Sequence, residues 1–313
     1  MRRASLILLS IACGACAART LASGVAYRKQ VIFSTPVHVV CADLNNPDVK
    51  VTVAISKGGR GSSEPASSIV SRSRPAAAIT GTFFDTRTLL PTGDIGILGV
   101  MIHSGCVGPA LCVTSENAAQ IVPGKYRTRW QAGNYETVLA GGPTLVQNGR
   151  IALNPRAEGF YGRSILRPSR RTAAGLTPHG KLLLVCVNRP ITLRHLARIM
   201  LGLGCKQAML LDGGSSTTLY ANGRFIAWPA RRLTNLLLVY DSAQSYRQAE
   251  KQLAPPVLLA KRPQPAASTP SLLALPPAPE PWYRRLALAP DLPYPSTGSG
   301  RGAGTGTYFS SGR

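Results

Sequence analysis

Acidic residues are scarce in this chain: 13 Asp and Glu stand against 36 Lys and Arg, a formal net charge of +23 over 313 residues. Aromatics make up 6%, too few for the stacking platforms that single-stranded nucleic acids require. No helix-turn-helix, zinc-finger or RNP pattern is present, so no specific nucleic-acid partner is expected. Four histidines, His38, His103, His179 and His195, share no metal-ligand spacing, and beyond residue 17 no CxxC pair occurs. Neither a metal nor another cofactor is therefore expected. After the first residues no apolar run approaches the roughly 20 residues that cross a bilayer, so no transmembrane segment is expected beyond a signal.

The first residues do carry an address. Arg2 and Arg3 give a basic start, residues 6–12 an apolar stretch, and Ala15-Cys16-Ala17 a small-x-small cleavage site. Residues 1–17 read as a signal peptide and place the protein in a secreted or periplasmic setting. Five cysteines then remain: Cys41, Cys106, Cys112, Cys186 and Cys205. Cys106 and Cys112 flank a turn-rich loop that a short disulfide would close in an oxidising compartment. Cys186, inside a continuous apolar run, reads as a small buried residue. At the other end, residues 254–313 are rich in Pro, Ala, Ser and finally Gly. Such a stretch buries too little apolar surface to offset its ordering entropy and reads as a disordered tail. The folded domain is expected over residues 25–243.

Strand signals dominate that domain. Short β-branched-rich runs fall at residues 27–33, 37–41 and 49–55, a small apolar run at 76–80, and further strand-like runs at 97–103, 136–140, 208–211 and 236–240. Asn148-Gly149 marks a hairpin after 144–147, and Thr177-Pro178-His179-Gly180 joins runs at 172–176 and 182–187. The residues 67–74 predict a short helix ended by Pro75. A second helix starts at Thr192, places Leu193, Leu196, Ala197, Met200 and Leu201 on one face, and stops at Gly204. The expected class is α+β, a mixed and mostly antiparallel sheet with a few packed helices.

Against this background one run stands out: Leu210-Leu211-Asp212-Gly213-Gly214-Ser215-Ser216-Thr217-Thr218. It sets a lone carboxylate at the end of an apolar strand. Two glycines follow, which allow close backbone approach and an anion-binding nest of amides, and then come hydroxyl donors. The same pattern also suits an Asp that caps its own turn. Three weaker segments share the design of a small-residue strand opening into a turn: residues 78–85 with Thr80, Gly81, Phe84 and Asp85, residues 140–146 with Gly142, and residues 170–176 with Arg171 and Thr172. Nine arginines between Arg150 and Arg198 face one acid, Glu158. That imbalance suits either a generally basic surface or a cleft for an anionic substrate, because guanidinium grips phosphate bidentately.

In this order and spacing the four segments resemble the phosphodiester glycosidase family. The family patterns Ile-Asn-Gly-Gly-Phe-Phe, Gly-Pro-x-Leu-Val, Arg-Thr-Ala-x-Gly, Leu-Asp-Gly-Gly-Gly-Ser-Thr and Arg-x-x-x-Asn-x-Leu align with residues 79–84, 142–146, 171–175, 211–217 and 231 or 232 to 237. Thr80 stands where the family has Asn, and Thr82 and Ser215 where it has Gly. The resemblance implies a secreted hydrolase that cleaves a sugar-1-phosphate ester bond in an anionic carbohydrate or polyanionic envelope polymer. It implies Asp212 as catalytic carboxylate and Asp85 as a second, with Glu158 and Asp94 left open for that role. Arg171 is the implied phosphate clamp. The substrate-binding set is completed by Thr172, Thr80, Gly81, Phe84, Gly142, Gly213, Gly214, Ser215, Ser216, Thr217 and Arg232. The rival expectation, favoured by Thr80 and Ser215, is a non-catalytic cationic module that holds a polyanionic glycan.

Overall fold

The computed structural model describes residues 24–105, 108–124 and 134–260, apart from the side chains of residues 163 and 164. Strands dominate and form three sheets, in which every described pairing is antiparallel. The largest has seven strands, in the spatial order Val25–Ile32, Thr35–Asp43, Lys181–Ile191, Ser169–Leu176, Gln207–Leu211, Thr144–Gln147 and Arg150–Ile151. Two five-stranded sheets are built around Ala77–Thr80 with Asn235–Tyr240, and around Thr137–Ala140 with Ala110–Val113.

The continuous apolar run Leu182-Leu183-Leu184-Val185-Cys186-Val187 makes a strand buried on both faces, as such runs do when a sheet is covered on each side. On one face Ala173, Leu183, Val185, Ala208 and Leu210 pack against the helix Leu193–Gly202. On the other, Ala174, Leu182, Leu184, Met209 and Leu211 meet the smaller sheets in one large core. Thr192 caps the helix as expected, its hydroxyl accepting from the His195 amide at 3.2 Å, and Gly204 follows at φ +83°. The buried stripe differs by one residue from the expected one: Ile199 is fully buried, whereas Leu201 is 37% exposed.

Local turn chemistry accounts for most boundaries. Asn148 and Gly149 both take positive φ and close the expected hairpin. The expected strand over 97–103 is split into Ile95–Ile97 and Val100–His103, because Leu98 and Gly99 adopt positive φ and reverse the chain. Four short strands went unforeseen: Ala110–Val113, Ala119–Val122, Leu219–Ala221 and Arg224–Ala227. The last two are joined by Asn222-Gly223, a hairpin dipeptide in plain view.

The folded chain also runs past the expected boundary at 243. Helices at Ala243–Ala249 and Pro256–Leu259 are present, and Leu253 and Ala254 are buried in the main core. Residues 254–260, expected in the disordered tail, thus belong to the folded part, and the rest of that tail from 261 onward, the signal segment and Cys106 lie outside the described residues. Cys186 is fully buried, and burial pushes its thiol up to about 12. Among the described residues no helix is long and apolar enough to cross a membrane.

Candidate active site

The seven-stranded sheet aligns the two most informative motifs. Thr172 pairs with Leu211 across adjacent antiparallel strands, so the next pair in register is Arg171 and Asp212. Strand alternation puts Arg171 on the side of Ala173, and Asp212 on the side of Ala208 and Leu210. Both therefore leave the sheet on its helix-covered face, at the end of neighbouring strands. They line one cleft of about 450 Å³, together with Phe83, Phe84, Phe160, Tyr161, Ser169, Gly213, Gly214, Ser215 and Arg231.

Backbone bonds lock the four sequence segments behind this cleft. The Asp212 amide donates to Gly81 O at 3.0 Å, and the Thr172 hydroxyl donates to Asp212 O. The Gly142 amide donates to Leu210 O at 2.7 Å. Gly142 has φ +120°, and a Cβ there would meet Pro109 at 2.6 Å and the Phe160 ring at 3.0 Å. Gly81 is required for another reason: a Cβ would stand 1.9 Å from Asn235 Oδ1. That oxygen accepts from the Thr82 amide at 2.8 Å, and Asn235 Nδ2 donates to Thr82 O at 3.3 Å. Asn235 thus clips the Gly81 turn, and the turn in turn holds Asp212.

Asp212 is partly buried, and removal from water pushes its carboxyl from 3.8 up to about 6. The Ser216 hydroxyl, the Gly213 amide (2.8 Å to Oδ1) and the positive charge of Arg231 pull the other way. Arg171 is 3% exposed and faces no carboxylate in its hydrogen bonding. It donates to the carbonyls of Ile165, Arg167 and Ile191, and burial lowers it to about 10. Even so lowered it stays charged at neutral pH. Carbonyl oxygens hold its orientation without cancelling its charge.

Several expected site residues sit elsewhere. Asp85 is exposed and does not line the cleft. Its Oδ1 accepts from the Arg87 and Thr88 amides and the Thr88 hydroxyl, and these bonds hold its carboxyl below the usual range. It caps its own turn, which corrects its expected role as second carboxylate. Glu158 accepts from the Thr144 amide and hydroxyl, and Asp94 from the Gly105 amide; neither lines the cleft. Asp212 is thus the one carboxylate among the described lining residues. Arg232 is exposed and donates to Ser63 O. The cleft arginine is its neighbour Arg231, whose guanidinium lies 4.5 Å from the centre of the Phe84 ring. Thr80, Gly81, Gly142, Thr172 and Thr217 form the wall behind the site rather than its surface. Gly213, Gly214, Ser215 and Phe84 reach the cleft, and Ser216 lies buried beside Asp212. Unforeseen contributors are Phe160 and Tyr161, which follow the positive-φ turn at Gly159 but belong to none of the four motifs. Among the described residues no three His, Cys, Asp or Glu gather as metal ligands.

The phosphodiester glycosidase family matches residues 73–240, a stretch that contains every motif above. No curated protein matches the chain significantly. Among solved structures, a hypothetical protein from Synechocystis superposes with a TM-score of 0.58 at 17% identity, covering 69% of this chain and 62% of that one. The catalytic domain of zebrafish N-acetylglucosamine-1-phosphodiester alpha-N-acetylglucosaminidase superposes with a TM-score of 0.56 at 19% identity, covering 69% of this chain and 82% of that one. The superpositions speak for a shared fold, while the family match extends over more than half of the sequence. The chain belongs to the phosphodiester glycosidase family.

Proposed function

We propose that the protein hydrolyses a glycosyl-phosphodiester bond, a sugar-1-phosphate ester, in an exported anionic glycan or envelope polymer. The observation that carries this reading is the cleft itself, whose described lining combines one carboxylate, Asp212, with two guanidinium groups, Arg171 and Arg231. An ordinary glycosidase needs two carboxyl groups, one of them an acid that protonates the departing oxygen. A phosphomonoester departs as a stable anion without that proton, so a single carboxylate suffices where cations receive the charge. The zebrafish relative is named for a sugar-1-phosphodiester substrate, which agrees with the substrate class.

In the proposed reaction water attacks the anomeric carbon and passes a proton to Asp212. The bond from that carbon to the phosphate oxygen breaks, and its electron pair leaves with the phosphomonoester toward Arg171 and Arg231. Asp212 then releases the proton to solvent, leaving the free sugar. A base that ionises at about 6 is matched to catalysis near neutral pH. Aromatic walls from Phe84, Phe160 and Tyr161 suit the apolar face of a sugar ring. The surplus of positive charge favours encounter with an anionic polymer. The signal-like start of the chain supports an extracytoplasmic setting.

The test is release of sugar and phosphomonoester from a chromogenic sugar phosphodiester. Wild type should turn over, and Asp212→Asn should lose roughly 10²-fold or more, as loss of a catalytic base does. Tight glycan binding without turnover would instead establish the non-catalytic module.

A further inference from the structure

Outside the cleft the described residues expose an ordered aromatic stack. The hairpin Leu219–Ala221 and Arg224–Ala227 delivers Trp228 to the surface, where it is 60% exposed. Phe225 lies against one face of the indole, with ring centres 4.1 Å apart and planes 28° from parallel. Tyr220 meets Phe225 edge-on at 5.3 Å. Tyr220 and Phe225 pack against the main core, and the indole stands on them in water.

The stack is fixed to the rim of the cleft. The Arg170 guanidinium donates to Gly214 O, at 2.9 and 3.2 Å, and also reaches Trp228 O at 3.5 Å. The Ala230 amide donates to Ser215 O at 2.7 Å. Gly214 and Ser215 line the cleft, so one guanidinium spans the distance between its lip and the backbone of Trp228.

We propose that the open face of Trp228, backed by Phe225, is a subsite that stacks on a sugar unit of the glycan beyond the bond broken in the cleft. The inference rests on the reading of the cleft as a sugar-phosphodiester site and extends it to a polymeric substrate. The C–H face of a pyranose is apolar and flat, whereas its hydroxyls lie at the edge. The exposed indole offers the matching apolar surface, and amphipathic aromatics are used this way at partly wet sites. A single stack is too small for a stable protein partner, whose interface needs about 1,000 Å² or more.

The experiment compares wild type, Trp228→Ala and Trp228→Phe on two substrates: a chromogenic monosaccharide phosphodiester, and an oligosaccharide that repeats the same sugar-1-phosphate linkage. Oligosaccharide binding is measured by calorimetry in the Asp212→Asn background, with and without Trp228→Ala. The expected result is a loss of about tenfold in kcat/KM and affinity for the oligosaccharide, little change on the monosaccharide, and partial rescue by Phe. Equal losses on both substrates would reassign Trp228 to the support of the loop and overturn the proposal, as would no loss on either. If wild type binds the oligosaccharide without cleaving it and Trp228→Ala weakens that binding, the hydrolase reading fails and the subsite stands. Absence of glycan binding by any variant overturns both.

Discussion

Replacing Asp212 with Asn should make the protein more stable above about pH 6 while removing its proposed base. Burial moves this carboxyl from 3.8 to about 6, so the folded state holds a proton that the unfolded chain has already released between those values. Stability contributed by this group is unaffected below about pH 4, falls as pH rises through the interval, and stays reduced above it. Each unit of such a difference corresponds to about 1.4 kcal/mol, which sets an upper bound of roughly 3 kcal/mol. Because the carboxylate opens onto a solvated cleft, roughly 1–2 kcal/mol is the realistic gain after screening. Asn keeps an oxygen that accepts from the Gly213 amide, so the loop retains that bond. Urea unfolding of wild type and variant across about pH 4 to 8 reads the effect directly. The two should coincide at the acid end and diverge toward neutrality, with the variant the more stable. A gap independent of pH, or a variant less stable at pH 8, would refute the claim that Asp212 is held in an unfavourable ionised state. In parallel, wild-type kcat/KM should rise with pH through about 6 and level off above it.

The arginine pair offers a sharper contrast than sequence would suggest. Arg231→Ala should lower turnover and shift the acid limb of the pH profile upward, because Arg231 favours the charged form of Asp212, whereas Arg232→Ala should leave the profile in place. Identical profiles for the two variants would count against Arg231 as part of the cleft. Gly81→Ala should lower Tm and activity together: its Cβ would displace Asn235, and each buried polar group stranded by that shift costs about 1–3 kcal/mol. An alanine variant with wild-type Tm would show that the Asn235 clip yields more easily than its geometry implies.

Much of the fold was legible where local chemistry and burial agree. The run at 182–187, the Thr192 cap and the Asn148-Gly149 turn each carry their own structural instruction, and each formed as read. The misses came where short strands lack alternation, as at Ala110–Val113, or where a turn interrupts an apolar run, as at Leu98-Gly99. Leu253 and Ala254 sit in a Pro- and Ala-rich stretch, and only their contact with the main core orders them.

For the site, sequence by itself determined the chemistry on offer: a carboxylate at a strand end, flexible amides beside it, an arginine motif, and glycines where no side chain fits. Tertiary structure decided which of those groups meet. Antiparallel pairing of Thr172 with Leu211 brings Arg171 and Asp212, forty-one positions apart, to the ends of neighbouring strands. A difference of one residue sends Arg231 into the cleft and Arg232 to the surface. The Asp85 turn satisfies its own carboxylate and leaves Asp212 alone. Charge and hydrogen-bonding capacity belong to residues one at a time, whereas distance and desolvation arise only when separate strands are brought side by side.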